Sequence, residues 1–198
     1  MKKIISIVCS LFLLASLSFA QSSDSDEDEE SAPKPGFNIG GINEPGDQFI
    51  KLGLMPTFPM NFDGALLVGG AGSVGYNRFL TNWFAVGAEV DFGYHPTIGS
   101  NIFTYVPILV GATVQPAFGK FEFPVSVWIG GALENYMSKN YFPGLVVKST
   151  AGIFFRATPT WSFGADFVFT YMPQWYSDSE YNDYGIFLSA EVAARYHF

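Results

Sequence analysis

The sequence predicts an all-β fold, an eight-stranded antiparallel up-and-down transmembrane β-barrel. Three observations predict it. From Asp47 to Phe198 the side chains alternate between bulky apolar residues and small or polar ones, the period of a strand with two unlike faces. Charge is scarce: 14% of residues are charged, 48% hydrophobic and 18% aromatic, whereas a soluble domain carries about 25% charged residues. Past residue 20 no run of 18 uninterrupted apolar residues occurs, so a transmembrane helix is excluded. A closed barrel is then the remaining way to satisfy the backbone in lipid.

The first segment, MKKIISIVCSLFLLASLSFA, reads as a signal peptide over residues 1–20. Lys2 and Lys3 supply the positive start, Ile4 to Leu17 the apolar stretch, and Ser18-Phe19-Ala20 a small-x-small cleavage site. The single cysteine, Cys9, lies inside it. The mature chain therefore has no thiol for a disulfide or a thiolate metal site. Residues 21–46 read as an acidic disordered periplasmic tail and linker. Asp24, Asp26, Glu27, Asp28, Glu29 and Glu30 face one base, Lys34, and nothing there forms a core. The rest of the chain, with seven bases and twelve acids, has no basic surface that favours nucleic acid.

The barrel is expected over residues 47–198. Its strands are expected at 47–56, 64–79, 83–95, 102–115, 121–136, 145–156, 161–175 and 183–198. Short turns fall at 80–82, 116–120 and 157–160. Longer polar connections fall near 57–63, 96–101, 137–144 and 176–182. An even strand number with short turns at one end and longer loops at the other describes a small outer-membrane barrel. In WFAVGAEVDFGY, residues 83–94, Phe84, Val86, Val90, Phe92 and Tyr94 oppose Gly87, Glu89, Asp91 and Gly93. Small residues suit a narrow lumen and bulky ones suit lipid. Aromatic residues gather at strand ends, as two membrane interfaces favour. Phe79, Trp83, Phe84, Phe121, Phe123, Trp161, Phe163, Tyr196 and Phe198 form one belt at the short-turn end. Phe92, Tyr94, Phe103, Tyr105, Tyr171, Trp175 and Tyr184 form the other.

Alternation turns nine charges inward: Lys51, Glu89, Asp91, Glu134, Lys148, Arg156, Asp166, Glu191 and Arg195. Unpaired charges in so narrow a space are costly, so a salt-bridge network across the lumen is expected. It reads either as a structural plug or as a gate beneath a ligand pocket. Phe49, Met55, Trp128, Tyr136, Met172 and Phe187 also point inward and are expected to crowd the outer half above the charges, as an apolar ligand funnel. Pro107, Pro124 and Pro173 remove ladder bonds and can open a lateral gap.

The chain resembles the small eight-stranded outer-membrane barrels, the group that includes the OmpW, OmpX and opacity-type proteins. Its terminal EVAARYHF is similar to the group's insertion signal: Glu191, Tyr196 and Phe198 match, and Ala193 stands where glycine is preferred. VGYNRFLTNWFAVGAEV, residues 74–90, is similar to the group's strand–turn–strand. The resemblance implies insertion into outer-membrane lipid by the barrel assembly machinery and periplasmic termini. OmpW-type members further imply passage of small apolar molecules.

Two function classes follow. One is a passive conduit or binder for small, hydrophobic solutes; the other is a structural or surface-interaction barrel with a plugged lumen. No catalytic residue, metal site or cofactor is expected. GAGSVG, residues 70–75, fits a dinucleotide fingerprint only in letters, because a strand and not a helix follows it. A remote lipid acyltransferase reading rests on His95, expected at the start of a loop, beside Ser100.

Overall fold

A computed structural model describes residues 42–62, 65–99, 101–136, 139–174 and 183–198. The signal-peptide expectation and most of the acidic tail, Ser100, Trp175 and the loop 176–182 lie outside the described residues.

Eight long strands build the fold: β1 (Gln48–Pro59), β2 (Gly69–Phe79), β3 (Phe84–Pro96), β4 (Ile102–Val114), β5 (Val125–Tyr136), β6 (Lys139–Arg156), β7 (Trp161–Gln174) and β8 (Asp183–His197). Each pairs antiparallel with its neighbours in sequence, and β8 pairs back onto β1, closing the barrel. The closing register sets Phe49 opposite His197, Lys51 opposite Arg195 and Gly53 opposite Ala193. Closure leaves no free edge, so the backbone is satisfied strand to strand.

Alternation decides the faces. On β1 the residues Phe49, Lys51, Gly53, Met55 and Thr57 are buried, while Ile50, Leu52, Leu54 and Phe58 are exposed. Outward residues of the other strands repeat this pattern, with Val74, Val110, Phe167 and Val192 all more than half exposed. A water-facing surface does not carry an apolar band of this extent; a lipid-facing one does.

Strand ends differ from the sequence expectations in three places. β1 continues to Pro59 and β2 starts only at Gly69, so the connection sits later than expected; Leu66 makes a lone bridge to Thr97. Between β4 and β5 the chain inserts a two-residue hairpin, Ala117–Phe118 against Phe121–Glu122. Gly119 takes a positive φ of 58° at its tip, the conformation a tight hairpin turn needs. β6 begins at Lys139, six residues early, so residues 139–144 of the long polar loop expected at 137–144 are strand. Backbone pairing there (Asn135 with Asn140, Tyr136 with Lys139) continues past an irregularity between Ala132 and Glu134. The polar residues Lys139 and Asn140 do not interrupt the ladder.

Three aromatic residues assigned to the outer belts face inward: Phe79, Phe103 and Tyr105. Phe79 packs with Phe49 and Ala85; it follows Gly75 and Asn77 on the lumen side of β2. Tyr105 is in phase with buried Leu109 on β4 and joins the interior cluster.

Candidate functional site: an ion-paired lumen beneath a loop-end cavity

All nine inward charges are buried. They do not form one network but separate groups at different heights, and a sixth acid, Glu122, joins them.

At the short-turn end Arg156 pairs with Glu122 at 2.5 Å and donates to Asn43 Oδ1 at 2.6 Å. Arg195 lies 3.8 Å from the other Glu122 oxygen and donates to Gln115 at 2.9 Å. Its guanidinium sits 3.3 Å over the Phe154 ring and 5.0 Å from Phe49, a cation–π clamp. His197 meets the Ser162 hydroxyl at 2.8 Å. Asn43, in the expected linker, is thus tied to this end of the barrel.

The middle holds two lysines and four acids. Lys51 reaches Glu191 at 2.9 Å, Glu89 at 3.2 Å and Asp166 at 3.6 Å. Lys148 holds Glu89 and Asp91, both at 2.6 Å, and the Ser73 hydroxyl donates to Glu191. Glycines make the room. A Cβ at Gly53 would overlap the Glu191 carboxylate, and one at Gly152 would overlap that of Asp166.

Above this layer the interior turns apolar. Tyr105, Leu109, Trp128, Ala132, Val146, Met172 and Phe187 form one buried cluster, with Phe62, Leu66 and Phe103 against it. His95 does not open a loop: it is an inward residue of β3, stacked on Tyr105 at 5.8 Å, with Nδ1 3.0 Å from the Leu67 carbonyl. Open to the loop end is a cavity of about 360 Å³ lined by Phe62, Leu66, Phe103, Met172, Phe187 and two carboxylates, Glu134, which is buried, and Asp183, which is exposed. The Glu134 Oε2 accepts from Gln174 at 2.8 Å. Its Oε1 is buried without a hydrogen-bond partner among the described residues.

Of the expected funnel, Trp128, Met172 and Phe187 gather in the apolar cluster and Met55 is buried on β1. The side chain of Tyr136 lies outside the described residues. Phe49 does not belong there. It is the second residue of β1, faces His197 at 5.3 Å, and sits at the opposite end. Strand direction decides this: β1 starts at the short-turn end, so its first inward residue is the lowest.

The prolines behave unequally. Pro173 stays in register opposite Tyr184, and Pro124 lies between the small hairpin and β5. Pro107 coincides with a break. β3 and β4 pair at Val90–Ile108 and again at Gly93–Tyr105, but Asp91 and Phe92 have no paired residue opposite Pro107 and Val106. A second break, not anticipated, falls at Pro56, where β1 and β8 pair at Leu54–Val192 and resume only at Thr57–Ser189.

Glu122 was legible but missed: it is in phase with Trp128 and Glu134 along residues 121–136, and alternation alone turns it inward. Gln115 closes the expected strand 102–115 in phase with buried Leu109 and Thr113 and was legible in the same way; Asn43 lies outside the strands, where alternation gives no signal.

Among the described residues no cluster of three or more metal-ligating side chains occurs. A family model matches residues 29–196. An uncharacterized protein of Treponema pallidum (strain Nichols) is 31% identical over 172 residues, covering 78% of each chain. Among solved structures, Neisserial surface protein A superposes with a TM-score of 0.60 at 11% identity, over 77% of this chain and 99% of its own. The outer membrane protein OprG from Pseudomonas aeruginosa gives 0.55 at 10% identity, over 81% and 99%. At such identities the two structures speak for the fold, that of the small eight-stranded outer-membrane β-barrels. The chain belongs to the family it shares with the Treponema pallidum protein, and its own fold is a closed eight-stranded barrel.

Proposed function

We propose that this barrel resides in an outer membrane and binds a small, largely apolar solute in its loop-end cavity. The carrying observation is the cavity itself: about 360 Å³, walled by phenylalanine, leucine and methionine side chains, within the size range of small-molecule sites. Beneath it the aromatic cluster, the lysine–carboxylate layer and the arginine clamp occupy the lumen in turn. That filling favours a binder over a straight axial pore. If solute passes on into the bilayer, the interrupted ladders beside Pro107 and Pro56 are the candidate seams.

On this reading residues 1–20 direct export, both termini face the periplasm, and the protein acts without chemistry of its own. Outer-membrane lipid surrounds it, and the barrel assembly machinery reads Glu191, Tyr196 and Phe198. Deleting Phe198 should lower the yield of assembled barrel, seen as loss of the heat-sensitive gel band. An undiminished band removes the role of the terminal residue.

The solute reading is tested with proteoliposomes and a small hydrophobic dye. Saturable uptake above empty vesicles is expected, abolished by Ala65→Trp, which fills the cavity from its rim. No signal above empty vesicles leaves the second reading, a structural or surface-interaction barrel, which the ion-paired layer favours by itself.

A further inference from the structure

The cavity that the solute reading uses has one feature an apolar solute leaves unanswered. Glu134 is 4% exposed, and its Oε1 has no hydrogen-bond partner among the described residues. Elsewhere in the lumen the acids have cations: Lys51 and Lys148 serve Glu89, Asp91, Asp166 and Glu191, and Arg156 and Arg195 serve Glu122. No ion pair reaches Glu134 from any described side chain, and its one bond is from a neutral amide. A buried acceptor left unpaired carries its full desolvation penalty.

Its surroundings narrow what can answer it. Phe62, Phe103 and Phe187 border the same cavity. Phe62 and Phe187 meet at 5.1 Å, and Phe187 lies 5.7 Å from Tyr105. Aromatic faces attract cations through the ring quadrupole, most of all weakly hydrated ones such as quaternary ammoniums. A divalent metal is disfavoured: it needs six or more oxygen ligands, and the lining offers two carboxylates, buried Glu134 and exposed Asp183, with no cluster of three metal-ligating side chains among the described residues. An anion is opposed by those two carboxylates, and a neutral hydrocarbon leaves Glu134 Oε1 unpaired.

We infer that the loop-end cavity is a site for a small organic cation, an alkyl- or aryl-bearing ammonium whose charge meets Glu134 Oε1 and whose apolar body packs on Phe62, Phe103 and Phe187. The inference rests on the solute reading and adds the charge of the ligand to it. Gly144 belongs to the same design. A Cβ there would lie 2.9 Å from Oε1, so glycine keeps the carboxylate's approach open.

The test pairs a cation with its uncharged carbon isostere, benzyltrimethylammonium against neopentylbenzene. Each competes with a bound hydrophobic dye on the full-length barrel in lipid nanodiscs, with empty nanodiscs subtracted. The cation is expected to bind about ten-fold tighter than the isostere. Glu134→Gln, which keeps the shape and can keep the Gln174 bond, should bring the two within about two-fold by weakening the cation alone. Phe103→Leu should give an intermediate preference, and it carries the test if Glu134→Gln fails to assemble. Ala65→Trp should remove both probes. Equal binding of both probes to the wild type overturns the cation site and leaves the solute reading standing. A preference that persists in Glu134→Gln, or in the filled cavity, also overturns it. Failure of both probes on the wild type removes both readings.

Discussion

The two halves of this barrel share one backbone plan and differ in what fills them. Below, nine inward charged groups answer one another: lysines meet two or three carboxylates each, and two arginines share Glu122, with Arg195 also over Phe154 and Phe49. Above, rings and aliphatic side chains pack around open space, and Glu134 is a buried carboxylate that meets no cation among the described residues. The difference separates holding the fold from recognising a solute. Buried ion pairs are a weak source of net stability, since desolvation offsets their attraction. They are a strong source of register. A one-residue slip sends a strand's inward set to the lipid, where each Lys or Arg near the midplane costs about 2–4 kcal/mol. With charges on β1, β3, β6, β7 and β8 interlocked, no one of these strands can slip alone. The upper half lacks that lock and has spare volume, and ligand sites need both room and an unmet interaction.

The comparison breaks first on the middle layer. Two lysines there are shared by four acids, so cations are the scarce partner. Lys51→Met keeps the apolar length of the side chain and strips the charge from Glu191, Glu89 and Asp166 together. Removing one partner of a buried pair costs about 3–5 kcal/mol, and this is the largest effect expected from any single substitution discussed. Urea unfolding in lipid vesicles measures it through the shift in midpoint. A change below about 1 kcal/mol would mean that water or rearrangement already serves those acids, and that the lower half is not a closed set.

Alternation made most of this legible in advance. The inward placement of Glu89 and Asp91 follows from WFAVGAEVDFGY, and that of Glu191 and Arg195 from the chain end, because period two needs only the phase of a strand. Height along the barrel was not legible, and it misplaced Phe49: an inward residue's level depends on strand direction and stagger, which no single strand encodes. Strand ends were not legible either, since Lys139 and Asn140 pair in a ladder although their chemistry suits a loop. The cavity depends on side chains from β4, β5, β7 and β8 converging at one level, so Glu134 looked like one more lumen charge. Its isolation from every described cation emerges only when the others have found partners.

The finest test applies one substitution to both halves. Glu122→Gln and Glu134→Gln each remove a buried negative charge and keep the shape. At Glu122 the change leaves Arg156 and Arg195 without their carboxylate, and a loss of about 3 kcal/mol is expected, at the lower edge for a broken buried pair because Asn43, Gln115 and the Phe154 ring still hold the guanidiniums. At Glu134 no ion pair is lost, and an amide is cheaper to bury than a carboxylate with an unmet oxygen. The ligand-free barrel should therefore be unchanged to within about 0.5 kcal/mol, or gain stability. Both midpoints come from the same urea titration. Losses of similar size at the two sites would show that Glu134 is structural, held by partners that match those of Glu122, and would erase the distinction between the halves. A loss at Glu122 alone keeps it, and makes Glu134 a residue retained at some cost to the empty protein, as a residue reserved for a ligand should be.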